Sequence, residues 1–135
     1  MSNITQVVNV DKNMTSFKKG VHASDLDQLL SSTGPFTVFA PSNVAFSKLD
    51  AGTLDNLLKP ENKIELTSLI NHHVVQGKIS FKDLKDGDKL KTLNGKDLSV
   101  TIVDTQVSVD GATILNHDVQ TSNGVIHAID AVINN

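Results

Sequence analysis

The chain has no cysteine, tyrosine, tryptophan or arginine among its 135 residues. Without cysteine there can be no disulfide and no thiolate metal site, and the redox state of its compartment stays open. Without tyrosine and tryptophan it lacks side chains enriched at binding hot spots. All twelve basic residues are lysines, set against fifteen Asp and Glu, for a net charge of −3. The absence of a basic cluster or an arginine fork argues against a nucleic-acid partner. No apolar run approaches the ~20 residues of a membrane-spanning helix. The start, Met1-Ser2-Asn3-Ile4, has no basic region leading into an apolar stretch, so no signal peptide is read there. The expectation is either a cytosolic protein or an exported one whose leader has been replaced by Met1.

What is present fits one soluble domain over residues 1–135, with 39% apolar and 20% charged residues. The first half reads as helical. Ile4, Val7 and Val8 fall at helical spacing, and Asp11 is expected to cap a helix that lines up Met14, Phe17 and Val21. Leu26, Leu29 and Leu30 form a third short stripe before the Gly34-Pro35 break. Thr53 to Leu58 reads as one or two helical turns. A helix over about 60–74 puts Leu66, Leu69, Ile70 and His73 on a buried face, and His72 on the wetter side.

From Asp88 onward the period changes to two. Leu98, Val100 and Ile102 alternate with polar residues, as do Val107 and Val109. Asn94-Gly95, Asp110-Gly111 and Asn123-Gly124 supply turn pairs that tolerate positive φ. Helices first and an antiparallel meander later make an α+β domain, with one early strand at Phe36 to Ala40.

Three segments stand out. Phe36-Thr37-Val38-Phe39-Ala40-Pro41-Ser42-Asn43-Val44-Ala45-Phe46 reads as strand, break and helix. Pro41 holds Ala40 extended, and Ser42 or Asn43 caps the helix. Leu69-Ile70-Asn71-His72-His73-Val74-Val75-Gln76-Gly77 ends a helix. Ser122-Asn123-Gly124-Val125-Ile126-His127-Ala128-Ile129-Asp130-Ala131-Val132 reads as a turn and a strand buried on both faces, with His127 and Asp130 carried inside.

In order and spacing these segments resemble the signature motifs of the fasciclin domain, an adhesion-associated module. The middle one resembles its tyrosine-histidine motif, with His72 in the tyrosine position and His73 matching the histidine. The resemblance covers nearly the whole chain. It implies a compact β-wedge of two small, mainly antiparallel sheets with helices packed along one side. Asn116-His117-Asp118-Val119 resembles the family's short Asp-Ile adhesion sequence, with valine in place of isoleucine and His117 where lysine is frequent. The resemblance also implies a secreted, periplasmic or cell-surface protein. The single copy without cysteine or arginine fits a bacterial member.

Each candidate has a functional and a structural reading. His73 is either an adhesion determinant or a buried ring tying its helix to a loop, and the second is favoured. His127 and Asp130, at i and i+3 on a strand, face opposite ways and cannot pair, so a catalytic couple is disfavoured. Each is expected to satisfy a backbone or hydroxyl group near the Pro41 loop. Thr37, Pro41, Asn43, Asn123 and Gly124 join His73, His127 and Asp130 as scaffold residues. Asn116, His117, Asp118 and Val119 are the candidate contact, the alternative being that Val119 is core and Asp118 makes a turn bond. Adjacent His72 and His73 point ~100° apart on a helix and share no ion easily, so no metal and no cofactor is expected. No phosphate loop, nucleophile elbow or His-Glu-x-x-His helix is present.

The reading that follows is a non-enzymatic adhesion or interaction module for a cell-surface or matrix protein or a polysaccharide. The alternatives are a carrier or sensor holding a small apolar ligand between helices and sheet, and a hydrolase built on histidine and aspartate.

Overall fold

The structure, a computed structural model, describes residues 2–133. Met1, Asn134 and Asn135 lie outside the described residues, and with Met1 the reading of a replaced leader. Helix α1 spans Ile4–Val10 and starts with a capping box. The Asn3 side chain accepts from the Gln6 amide, and the Gln6 side chain accepts from the Asn3 amide. Helix α2 spans Thr15–Ala23 and buries Phe17 and Val21, as the spacing predicts. Its cap differs from expectation. Asp11 Oδ1 accepts from the Asn13 amide at 2.8 Å, two residues on, and makes a local turn. The free amide of Ser16 is met instead by Asn43 Oδ1 at 3.0 Å.

Strand β1, Phe36–Pro41, is buried along its whole length. Ser42 Oγ then accepts from the Ala45 amide and opens the short α3, Asn43–Ser47. Helix α4, Thr53–Leu57, and a 3₁₀ turn at Pro60–Asn62 lead into α5, Lys63–Asn71. The helix expected to reach Val74 therefore stops earlier. The amides of His72 and His73 close its last turn, and the β-branched pair Val74-Val75 opens β2, Val74–Gln76, against β1. That early stop also corrects the position of His72. The residue is 2% exposed rather than wet, because the chain turns inward and sets Nδ1 3.2 Å from Asn94 Oδ1.

Five further strands follow: β3 Lys89–Lys91, β4 Asp97–Val103, β5 Gln106–Val109, β6 Ala112–Thr121 and β7 Gly124–Ile129. The hydrogen-bonded order is β2-β1-β7-β6-β5-β4-β3. Among the described residues only β1 and β7 run parallel; every other strand pairing is antiparallel. A bridge between Val75 and Thr92, and a bond from the Leu93 amide to the Val74 carbonyl, bring the two ends of the series together. The turn at Asp104, with φ 56°, lacked the Asn-Gly or Asp-Gly signal of the others.

The β1–β7 pair is covered on both faces, which is why both strands read as near-continuous apolar runs. Ile4, Phe17, Leu66, Val38 and Ile126 pack on the helix side. Phe39, Leu98, Val109 and Ile129 pack on the other, inside the folded sheet. Each large side chain buried this way contributes roughly 1.5–3 kcal/mol. This is the α+β wedge expected from the sequence.

Candidate functional site

The residues singled out from the sequence gather along the β1–β7 pair. At the Phe36–Gly124 end, Asn123 is a hub. Its Oδ1 accepts from the Ile4 amide at 2.9 Å, and its Nδ2 donates to the Leu30 and Ser32 carbonyls at 2.7 and 2.8 Å. One turn side chain thus fastens α1 and the chain before β1 to the sheet. Gly124 follows because β1 lies too close for any side chain: a Cβ there would sit 1.9 Å from the Phe36 carbonyl oxygen. Thr37 Oγ1 donates to the Gly77 carbonyl at 2.6 Å and accepts from the Ile79 amide at 2.8 Å.

At the other end Pro41 closes β1, and the Ser42 amide donates to the Ile129 carbonyl. Asn43 accepts from Thr15 and Ser16 and donates to the Lys12 carbonyl. Asp130 Oδ1 accepts from the Thr113 amide at 2.8 Å, and Lys48 Nζ donates to the Asp130 carbonyl at 2.7 Å. Near the end of α5, His73 bonds the Leu69 carbonyl through Nδ1 and accepts from the Ile133 amide through Nε2. Burial, its largest perturbation, pushes the His73 pKa down to about 4.

His127 lies mid-strand, opposite Phe39, with ring centroids 5.6 Å apart. Its ties do not lie near the Pro41 loop, where they were expected. Nδ1 accepts from the Asp118 amide at 3.1 Å, and Nε2 bonds the Ile79 carbonyl at 2.8 Å. A β-bulge in β6 and the loop after β2 are what bring those partners over the ring. Burial is the main cause of a lowered His127 pKa. With both ring nitrogens of His73 and of His127 engaged, neither imidazole has one left to take a substrate proton.

The segment Asn116–Val119 sits where β6 slips register, between its pairings of Asn116 with Ala128 and Val119 with Ile126. The extra residue is absorbed by Asp118, which adopts φ 58°. Asn116 and His117 are exposed; Asp118 and Val119 are half-buried. Val119 packs against the helix-side core. Asp118 Oδ1 accepts from the Phe81 amide at 2.9 Å, and its Oδ2 lies 3.1 Å from His117 Nδ1. The Phe81 amide first, then the His117 bond, hold the Asp118 carboxyl below the usual carboxylate range. Phe81 stacks on His117, centroids 3.9 Å apart and planes 12° from parallel. Ile79 and Phe81 carry no motif signal; only the alternation Lys78-Ile79-Ser80-Phe81 hints that one face is held.

Beside this segment Leu115 is 58% exposed and Val44 61% exposed. They flank a cleft of about 250 Å³, floored by Met14 and Ala128 and edged by Asn13, Asn43 and Asn116. That volume accepts one large side chain, whereas a drug-sized ligand fills roughly 300–1,000 Å³. The described residues include no group of three or more His, Asp or Glu that could hold a metal ion. None of the described helices is long and apolar enough to cross a membrane.

The Fasciclin domain family model matches residues 12–135. The chain is 44% identical over 130 residues to protein sll1483 of a Synechocystis strain, covering 96% of this chain and 72% of that protein. It is 35% identical over 134 residues to the pig transforming growth factor-beta-induced protein ig-h3, covering 98% of this chain and only 19% of that protein. Among solved structures, a FAS1 domain pair from the insect cell adhesion molecule fasciclin I superposes with a TM-score of 0.88 at 18% identity. That superposition covers 99% of this chain and 51% of the other.

Proposed function

Since the chain belongs to the fasciclin domain family, we propose that it is a non-enzymatic interaction module. It works outside the cell or at its surface as one unit, binding a protein or polysaccharide partner. Domains of this family occur in adhesion proteins, which supports a general interaction role. The observation that carries the reading is the division of labour among polar side chains. Asn123, His73, His127, Thr37 and Asp130 spend their hydrogen bonds on the chain's own backbone. What faces outward is the bulged strand β6, with Leu115, Asn116 and His117.

The contact segment is Asn116 to Val119, with divided roles. Asn116 and His117 meet the partner, with Leu115 beside them as an apolar anchor. Asp118 positions the bulge through the Phe81 amide, and Val119 pins it to the core. A rigid, preorganised bulge loses little conformational entropy on binding.

The test is retention of the purified domain on surface and matrix extracts, including polysaccharide fractions. Wild type is expected to be retained, and the double variant Asn116→Ala/His117→Ala to lose retention while remaining folded by circular dichroism, its melting temperature lowered only by the lost Phe81 stack and Asp118 contact. Equal retention of both would move the contact elsewhere. No retention of wild type above an unrelated protein of equal charge would end the adhesion reading.

A further inference from the structure

We propose that a polar pocket at the Asn123 end of the β6–β7 hairpin is a second binding site, which takes one hexuronate unit of an acidic polysaccharide with Lys78 on the sugar carboxylate. The pocket encloses about 450 Å³, within the roughly 300–1,000 Å³ of small-ligand sites. Three stretches wall it: the start of α1 at Asn3, the chain from Ser31 to Pro35 before β1, and the turn from Thr121 to Gly124. Lys78, just after β2, lines it from the fourth side. It lies past Asn116–Val119 along β6, at a place the proposed contact does not use.

The walls are tied to one another from behind. Asn123 Oδ1 accepts from the Ile4 amide, and its Nδ2 donates to the Leu30 and Ser32 carbonyls. The Ser122 amide donates to the Ser2 carbonyl at 2.8 Å. The Gly77 amide donates to the Pro35 carbonyl at 2.9 Å, which sets Lys78 beside the pocket. Gly34 lies so close to the turn that a Cβ there would sit 2.1 Å from the Asn123 carbonyl oxygen. A site held in this way is preorganised and loses little entropy on binding.

The pocket presents hydroxyls and amides of both polarities. Ser31 Oγ and Ser32 Oγ donate to the Asp27 and Leu29 carbonyls, and Thr121 Oγ1 donates to the Gly124 carbonyl. Those three oxygens keep lone pairs with which to accept. Thr33 Oγ1, Ser122 Oγ, Lys78 Nζ and Asn3 Nδ2 form no hydrogen bond with any described residue, and each can donate. Sugar hydroxyls both donate and accept, and match such a mixture. A lipid or a flat aromatic ligand does not, because Pro35 is the one apolar side chain among the described residues lining the pocket.

The charge is one-sided. The chain carries fifteen Asp and Glu against twelve Lys, yet the described lining residues include one lysine and no acid. A single ammonium without an arginine fork suits one carboxylate better than a sulfate or a phosphate. Thr33, Lys78 and Ser122 are exposed, so a polymer can run on past the bound unit. The pocket chemistry carries the site by itself; that the polymer belongs to a surface or matrix rests on the proposed function.

The test is an NMR titration of the full chain with galacturonate, glucuronate and mannuronate, each as monomer and as tetramer. Galactose, acetate and a short polyglutamate peptide are the controls. At least one uronate is expected to shift the Thr33, Lys78 and Ser122 amides saturably, its tetramer binding no more weakly than its monomer. Lys78→Gln should weaken it by about three-fold or more, and Ser122→Ala should weaken it as well. Asn116→Ala/His117→Ala should bind it like wild type, so loss of retention on extracts and loss of uronate binding are separate failures. No saturable shift with any uronate would overturn the site, as would equal binding by K78Q. Equal binding of galactose would remove the acidic class. Equal binding of acetate would leave an adventitious ion only, and equal binding of polyglutamate an acidic peptide. A tetramer excluded where its monomer binds would rule out the polymer. Each of these also overturns the proposal.

Discussion

The imidazole of His73 accepts a hydrogen bond from the Ile133 amide, sixty residues later, at 2.9 Å. Its other nitrogen is held by the Leu69 carbonyl at 2.8 Å. The amide can only donate, so Nε2 must be bare and Nδ1 must carry the hydrogen. Protonating Nε2 breaks the tie between the end of α5 and the C-terminal segment. The folded pKa is lowered to about 4 from an ordinary 6.5. The unfolded chain therefore takes the proton first as pH falls. This contribution to stability is complete above about 6.5, declines from there to about 4, and is gone below. A displacement of that size corresponds to about 3 kcal/mol. Urea midpoints measured from pH 7.5 to 4 should fall accordingly, and His73→Gln should start less stable and fall less steeply.

Asn123→Ala predicts a loss of similar size that does not depend on pH. The Asn123 amide group meets one backbone donor and two backbone acceptors, all remote in sequence. Asn123→Ala leaves the Ile4 amide and the Leu30 carbonyl buried and unpaired, at a cost of about 2–4 kcal/mol. Asn123→Asp should be no better, because an oxygen replaces the donor facing the Leu30 and Ser32 carbonyls. Chemical denaturation of the two variants checks this; an aspartate variant near wild type would mean that those carbonyls find water.

The Asn123-Gly124 turn was legible because its residue types carry their own geometry. So were the Ser42 cap, the doubly buried β7 and the switch of period after Asp88. His72 was misread because a helix projection assumes that the helix continues, and this one ends at Asn71. The partners of His127 were hidden for another reason. They are a backbone amide in a bulge and a backbone carbonyl in a loop, and backbone groups leave no trace in residue identity. The loop at Ile79 and Phe81 is visible only once β1, β6 and β7 are side by side.

Gly124→Ala tests the approach of the two parallel strands. The added carbon would lie 1.9 Å from the Phe36 carbonyl oxygen, and that oxygen is backbone, with no rotamer to yield. Strand β1 must shift or the β1–β7 ladder must break, so a loss above about 3 kcal/mol or failure to fold is expected. Circular dichroism and the yield of soluble protein read this out. A well-folded variant within about 1 kcal/mol of wild type would show that β1 can slide.

The start of α2 separates a local cap from one supplied across the fold. Asp11 has the residue type and position of a cap, yet its carboxylate stops at the Asn13 amide. Asn43 reaches back from α3 to the Ser16 amide and the Thr15 hydroxyl, and its own amide nitrogen donates to the Lys12 carbonyl. Removing the Asn43 side chain therefore strips the helix terminus and cuts its side-chain ties to α2, while the Asn43 main-chain amide still donates to the Asn13 carbonyl. Asn43→Ala should cost about 1–2 kcal/mol, and Asp11→Ala about 0.5 kcal/mol or less, since only an exposed turn bond is lost. Amide exchange should rise at Ser16 in the first variant and stay near wild type in the second. If Asp11→Ala proved the more damaging, the helix would be capped locally after all, and the signature asparagine would be free for another role.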